Sequence, residues 1–226
     1  MIKYLIILFF LTACHGFKNS QDENWRKYFV SELDLREGYV KRTVIHNSQG
    51  DIVYYDKVFL DNEKIILRRF DSNYEIVRED VNIYNSDRMQ LIKATYYFKG
   101  FAVPVRIIKP TIAPYKPTKE VLVSELEYSP TDFITISIVS KAKYLANVTY
   151  SFRSKKVDCL KFSYDESYKL TNKKNPAESF DHIAKGFSLW GEDIGLIYMK
   201  FKDQSGESEY IVDEILTIAE FDQMKL

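Results

Sequence analysis

Strict alternation of apolar and polar side chains is the feature that most restricts what this chain can fold into. Ile134, Ile136 and Ile138 alternate with threonine and serine, and the same pattern recurs at residues 147–152 and 160–164. Because successive side chains of a β-strand point to opposite faces, a period of two gives a sheet one buried face and one solvated face. This pattern is typical of antiparallel sheets and predicts a mainly β fold.

Clusters of turn-forming residues separate the alternating segments at short intervals. Asparagine and aspartate, with serine and glycine, are concentrated at residues 47–51, 61–63, 71–73, 85–87 and 203–206. Strands bounded in this way pair as neighbouring hairpins. The predicted strands are residues 39–46, 52–60, 64–70, 74–84, 91–98, 101–108, 120–126, 133–140, 147–152, 157–164, 195–202 and 209–221.

The composition favours the same fold. The chain has 17 tyrosines and 15 phenylalanines but only 8 glycines, and aromatic and β-branched residues favour strands. A long, twisted meander tends to curl or close on itself. We therefore predict an antiparallel meander curled into an open or closed β-barrel or half-barrel, with few short helices, one of them near residues 25–30.

Two polar segments interrupt the strand pattern. Residues 109–119 contain Pro110, Pro114 and Pro117, and proline lacks the N–H group that a central strand must donate. We expect a long surface connection there, with a lid over one end of the barrel as the alternative. Residues 170–178 are predicted to form a second polar loop.

The first thirteen residues have the features of a secretory signal. Lys3 precedes an apolar run from Tyr4 to Leu11, and two small residues lead to Cys14. The run is shorter than the roughly 20 residues of a membrane-spanning helix. Residues 11–14 (LTAC) resemble the lipobox of bacterial lipoproteins, which implies a signal peptide over residues 1–13 and lipidation of Cys14 with acyl chains such as palmitate. The alternatives are an ordinary signal followed by a chance cysteine, and an apolar start that arose by chance.

The lipobox resemblance carries expectations about organisation and location. Residues 14–24 are predicted to be a flexible polar tether, and residues 25–226 a single β-rich domain. The membrane is then a partner through the lipidated N-terminus, and the protein belongs to the cell envelope. By resemblance to proteobacterial sorting, His15 in place of an aspartate after the cysteine favours the outer over the inner membrane of a Gram-negative organism.

Both ends of the expected mature chain resemble one group of proteins. Residues 157–162 (VDCLKF), residues 188–198 (SLWGEDIGLIY) and a final β-branched strand follow one another, and residues 27–40 supply an opening segment. This order resembles a family of uncharacterised bacterial lipoproteins with β-rich, half-barrel-like domains. The resemblance implies the fold and the anchor and carries no activity with it.

Titratable residues give little sign of catalysis or metal binding. The histidines, His15, His46 and His182, have no metal-ligand spacing, and Asp181 and His182 would point to opposite faces of a strand. With Cys14 lipidated, Cys159 is the remaining thiol, and we expect it to be buried rather than reactive. We predict no catalytic residues, no metal and no cofactor, and hence not an enzyme.

Charge and aromatic content indicate the kind of partner. The chain has 32 basic and 32 acidic residues, so no long-range field would attract nucleic acid. Aromatic side chains could line an apolar groove, or they could only pack the sheet. The candidate ligand-binding residues are Tyr54, Tyr96, Phe98, Phe101 and Trp190. The predicted function is binding or carrying a hydrophobic ligand, such as a lipid; the alternative is a non-enzymatic module that docks or inhibits an envelope protein.

Overall fold

A computed structural model describes residues 24–29 and 35–225 of the chain. The predicted signal peptide, the lipidation of Cys14 and all of the predicted tether except Asn24 lie outside the described residues. Within them, the structure is built almost wholly from strands.

Fourteen strands and three short helical segments make up the described fold. The first helix, α1, is Arg26–Phe29; a 3₁₀ turn covers Pro176–Glu178; and α2 is Ile218–Gln223. The strands are β1 Tyr39–Asn47, β2 Gly50–Asp61, β3 Lys64–Phe70, β4 Ile76–Tyr84, β5 Arg88–Phe98, β6 Phe101–Pro104, β7 Arg106–Lys109, β8 Ile112–Pro114, β9 Val121–Thr131, β10 Ile134–Phe152, β11 Lys155–Asn172, β12 Phe180–Gly191, β13 Gly195–Asp203 and β14 Gly206–Thr217.

The strands form one antiparallel sheet in which neighbours in the chain are usually neighbours in space. Its order is β6-β5-β4-β3-β2-β1-β14-β13-β12-β11-β10-β9-β7, with β8 paired to β5. The first and last strands lie side by side, since Tyr39 is the partner of Thr217. The predicted antiparallel meander is confirmed.

Residues 101–114 bring the two ends of this sheet together. The segment pairs with β5 at Phe101, moves to β9 where Ile107 lies opposite Leu126, and returns to β5 where Ala113 lies opposite Met89. One stretch of chain thus joins both ends of the strand order. The result is a nearly closed barrel, and the predicted barrel class is confirmed.

One short helix packs on each face of the sheet. Trp25, fully buried beside α1, packs with Tyr28, Leu160 and Phe162 on the inner face. On the opposite face, Phe221 of α2 packs against residues of β1 and β2. A capping box holds the start of α2, because Thr217 and Glu220 exchange side-chain and backbone hydrogen bonds. The prediction of a strand through residue 221 is therefore wrong, since the strand ends at Thr217.

Three further predictions about elements are corrected. The two strands expected at residues 133–140 and 147–152 are one strand, β10, because the lysine- and alanine-containing stretch between them continues to pair with β11. β11 extends to Asn172, into the expected polar loop. No strand was predicted where β12 lies, at Phe180–Gly191. A short helix was expected near residues 25–30, and α1 confirms it.

The expectation of a surface connection at residues 109–119 is wrong in its central part. β8 forms there, and Tyr115, only 2% exposed, packs with Leu35, Val58 and Ile65. Trp25 N–H donates to the Tyr115 carbonyl oxygen at 2.7 Å. Proline is tolerated because Pro114 lies in an edge segment, where its missing N–H breaks no ladder.

Candidate ligand cavity

A cavity of about 400 Å³ lies between the proline-containing segment and the inner face of β9–β12. Its volume falls in the range of small-molecule sites. Aromatic and aliphatic residues dominate the lining, with hydroxyl groups at one side and charged groups at the surface. The lining residues are Phe29, Lys109, Thr111, Ile112, Ala113, Pro114, Thr118, Glu120, Val121, Leu122, Val123, Ser124, Ser140, Lys141, Ala142, Phe162, Tyr164 and Trp190.

Three aromatic rings form one wall of the cavity. The ring of Phe29 lies 5.2 Å from that of Trp190 and 6.2 Å from that of Phe162, measured between centroids. Alternation along β11 places Leu160, Phe162 and Tyr164 on one face, and Trp190 lies directly across from Leu160. Ring packing of this kind fixes the wall before any ligand arrives.

A small residue opens the space between larger ones. Ala142 lies between Leu122 of β9 and Tyr164 of β11, as the Cα partner of both. Partners directly across an antiparallel sheet project from the same face, so a methyl group stands in a row of large side chains. The gap above Ala142 is part of the cavity.

The hydroxyl groups of Ser124 and Ser140 lie one row further along the strands. Ser140 Oγ donates to Glu166 Oε2 at 2.6 Å, and burial, assisted by the charge of Glu166, raises the pKa of the Tyr164 phenol above its usual value. Tyr164 therefore stays protonated at neutral pH. This side of the cavity offers hydroxyl groups, whereas the rest offers apolar contact.

The structure separates the predicted ligand-binding residues. Trp190 lines the cavity, but Tyr54, Tyr96, Phe98 and Phe101 do not. Tyr96 and Phe98 stack on Tyr128 elsewhere on the sheet, at 4.5 and 5.9 Å. Phe101 is 76% exposed, and Tyr54 lies under the guanidinium of Arg69.

Sequence reasoning missed most of the cavity. The alternation along residues 160–164 placed Phe162 and Tyr164 on one apolar face, which was a usable signal. Nothing in the local sequence marked Phe29, Leu122 or Ala142, because their proximity depends on the pairing of β9 with β10 and on the position of α1.

The thiol of Cys159 is buried, as predicted. Cys159 is 1% exposed and packs with Leu189 and Ile197. Burial, with a smaller effect of Asp158, raises the pKa of its thiol to about 11. His182 does not pair with Asp181 but lies 3.0 Å from Asp203, between Nε2 and Oδ2.

Residues 24–29 and 35–225 contain no group of three or more side chains placed to hold a metal ion. No helix in the same ranges has the length and apolar character needed to cross a membrane.

The fold and cavity define a nearly closed antiparallel barrel with an apolar pocket in its wall, and solved structures of that fold exist. A candidate lipoprotein of Parabacteroides distasonis matches with a TM-score of 0.52 at 12% identity, covering 86% of this chain and 100% of that one. At this identity the likeness shows the fold alone. No known protein family and no curated protein matches the chain.

Two weaker structural matches have similar descriptions. A candidate exported protein of Bacteroides fragilis, described as having a YmcC-like fold, matches with a TM-score of 0.45 at 8% identity over 80% of this chain and 96% of its own. The hypothetical lipoprotein YmcC of Escherichia coli gives 0.37 at 8% identity over 85% of this chain and 94% of its own.

Proposed function

We propose that this protein is a lipid-anchored protein of the cell envelope whose barrel binds or carries a hydrophobic ligand. The cavity is the observation that carries the proposal, because about 400 Å³ of space lies against aromatic and aliphatic side chains. Each Å² of apolar surface that a ligand buries there contributes about 25 cal/mol.

The anchor is supported by the sequence. Residues 11–14 resemble a lipobox and follow a signal-like segment. Replacing Cys14 by alanine should move the protein from the membrane fraction to the soluble fraction and abolish incorporation of labelled palmitate. Cys159→Ala is the matched control, since the same chemical change at a buried thiol should alter neither result.

Ligand binding is tested by filling the cavity. Ala142→Phe places a ring in the space next to Tyr164, so we expect uptake of the fluorescent probe N-phenylnaphthylamine to fall at least tenfold. Ala146→Phe is the control, because Ala146 lies on the same strand and is exposed. Native mass spectrometry of the wild-type protein should show a co-purified apolar molecule that Ala142→Phe excludes.

Two results would count against a hydrophobic ligand. One is a clean polypeptide mass together with no probe uptake by the wild-type protein. The other is equal uptake by the two phenylalanine variants, which would place the probe elsewhere on the sheet.

A further inference from the structure

A half-buried carboxylate, that of Glu166, lies behind the polar side of the cavity. Ser124, Ser140, Glu166 and Ala184 are successive Cα partners across β9, β10, β11 and β12. Partners directly across an antiparallel sheet project from the same face, so Glu166 shares the inner face with the two serines, which line the cavity. Its partner on the other side, Ala184, contributes only a methyl group.

Two hydroxyl groups of the lining donate to this carboxylate. Ser140 Oγ donates to Glu166 Oε2 at 2.6 Å. The hydroxyl of Tyr164, on the same face of β11, forms a hydrogen bond with the same side chain; burial, the charge of Glu166 and this hydrogen bond together raise the pKa of the phenol. A carboxylate has only acceptor atoms, so the protons of both hydroxyl groups point toward Glu166.

These two protons decide what the hydroxyl groups can offer a ligand. A hydroxyl group has one donor and two acceptor lone pairs, so Ser140 and Tyr164 can only accept once their protons are committed. Turning a proton toward a ligand would remove a charge-assisted hydrogen bond from Glu166, and such bonds are among the stronger ones in proteins. Ser124 can rotate its hydroxyl to donate or to accept, so it leaves this preference unchanged. The polar side of the cavity therefore presents acceptors with a negative charge behind them.

Small residues flank Tyr164 in its own row of the sheet. Its Cα partners are Ala142 on β10 and Gly186 on β12, and neither residue has a side-chain atom that could donate to the phenol. Tyr164, Ala142 and Ser140 all line the cavity. A ligand in the gap above Ala142 therefore lies beside both hydroxyl groups.

The apolar wall and the acceptors together suit an amphiphile. An apolar body would pack against Phe29, Phe162 and Trp190, and its head group would meet the acceptor oxygens. A head with an O–H or N–H donor pairs with them, whereas a head that has acceptors alone leaves polar groups unpaired. A carboxylate head also brings a like charge close to Glu166.

We propose that the cavity selects amphiphiles whose head group donates a hydrogen bond, namely long-chain alcohols and amines, over ethers and fatty acids of the same length. The inference rests on the proposed function, because it names the ligand class of the same cavity. Ser140 and Tyr164 contact the head group, and Glu166 positions their protons.

The test is displacement of N-phenylnaphthylamine from the full chain carrying Cys14→Ala, purified without lipid so that no bilayer takes up the probe. Decanol and its isomer nonyl methyl ether contain the same atoms and differ in the donor. Decanol should displace the probe at about fivefold to tenfold lower concentration than the ether. Decylamine should displace it at least as well as decanol, and decanoate should be weaker than decanol.

Glu166→Gln should remove this selectivity. The substitution abolishes the charge and supplies an amide N–H that donates to the hydroxyl oxygens, so their protons are released toward the cavity. The affinities for decanol and nonyl methyl ether should then lie within about twofold of each other. Asp165→Asn is the matched control, because Asp165 is the neighbouring residue of β11, lies on the other face of the sheet and pairs with Lys185 at 3.8 Å. It should keep the wild-type preference.

Ser140→Ala tests the same point without altering the carboxylate. Loss of one acceptor should lower the affinity for decanol about threefold, toward that for the ether. Ser137→Ala, on the opposite face of β10, should keep the wild-type preference. Each readout is a ratio between two ligands on one variant, so a general loss of stability does not reproduce it.

Three results would overturn the inference. They are equal displacement by decanol and nonyl methyl ether, an unchanged preference for decanol in Glu166→Gln, and tighter binding of decanoate than of decanol, which would place the head group at the exposed Lys109 and Lys141. In each case probe uptake that Ala142→Phe abolishes keeps the hydrophobic-ligand proposal. No uptake of the probe by the protein with its native cavity would reject both.

Discussion

Arg69 donates hydrogen bonds from Nε and Nη2 to the two carboxylate oxygens of Asp56, at 2.7 and 2.9 Å, across β2 and β3. Tyr210 of β14 donates to the same carboxylate at 3.3 Å, and Lys41 of β1 is the Cα partner of Asp56. Asp56 is 3% exposed. Four strands therefore meet at one buried carboxylate on the inner face of the barrel.

Removing the side chain of Arg69 should destabilise the fold, because it leaves the buried carboxylate of Asp56 without its bidentate partner. We expect Arg69→Leu to lower the free energy of unfolding by about 3–5 kcal/mol, measured by urea denaturation. Arg68→Leu is the control: Arg68 pairs with Glu79 but is 44% exposed, and loss of such a pair costs at most about 1 kcal/mol. Equal losses of unfolding free energy in the two variants would show that the buried Arg69–Asp56 pair contributes no more than an exposed pair.

Lys41 should make stability depend on pH in the alkaline range. Burial, opposed in part by Asp56, lowers the pKa of Lys41 to about 8, so between pH 8 and about 10.5 the unfolded chain holds a proton that the folded protein has lost. The contribution of Lys41 to stability therefore rises with pH in this window and is unfavourable below it.

Lys41→Met isolates this effect. At pH 7 the wild type carries this unfavourable contribution and the variant does not. As the pH rises from 8 to 10, the unfolding free energy of the wild type should therefore gain on that of the variant, by at most about 1.4 kcal/mol per pH unit. Lys64→Met, at an exposed position, should show no such trend. A constant difference across the range would mean that Lys41 keeps an ordinary pKa in the folded protein.

Cys159 should be inert in the folded protein. Its thiol has a pKa of about 11 and almost no exposure, and only the thiolate is nucleophilic. At pH 8, iodoacetamide should label Cys159 at least 100-fold more slowly in the native protein than in 6 M urea, as followed by peptide mass spectrometry. Comparable native and denatured rates would show that the thiol is accessible.

Gly186 should tolerate no side chain. A Cβ atom there would lie 1.8 Å from the Lys200 carbonyl oxygen, whereas at Gly191 it would meet side-chain methyl groups at 3.0 Å or more. Backbone cannot move aside as side chains can, so Gly186→Ala should cost about 3 kcal/mol or more in unfolding free energy. Gly191→Ala should cost clearly less, and the reverse order would contradict the packing of β12 on β13.

The alternation of apolar and polar residues was enough to predict most strands. At Ile134, Ile136 and Ile138 the alternation itself records which face is buried. The continuation of β10 through Lys141 and Lys143 was missed, because those side chains are exposed and the strand is maintained by its neighbours.

The candidate site depended on information that no local window holds. Ala142 borders a cavity because Leu122 and Tyr164 face it from other strands. Trp190 was predicted because a tryptophan next to a glycine-containing strand is a recognisable local signal. Phe29 could not be predicted in the same way, because its contact with the cavity depends on where α1 packs. The segment at residues 101–114 was predicted to be a strand and a loop, although its exchange of partners nearly closes the barrel.

The pairing of β1 with β14 has a consequence for how the chain acquires its structure. Tyr39 and Thr217 are neighbours in space but lie at opposite ends of the described sequence, so the contact has a very large sequence separation. Such contacts form late, because the entropy of closing a long loop must be overcome first. Synthesis proceeds from the N-terminus, so the growing chain has one unprotected strand edge at β1 until β14, Gly206–Thr217, is available. A truncated chain would thus present an aggregation-prone edge, and fusions that delay release of the C-terminus should lower the yield of soluble protein.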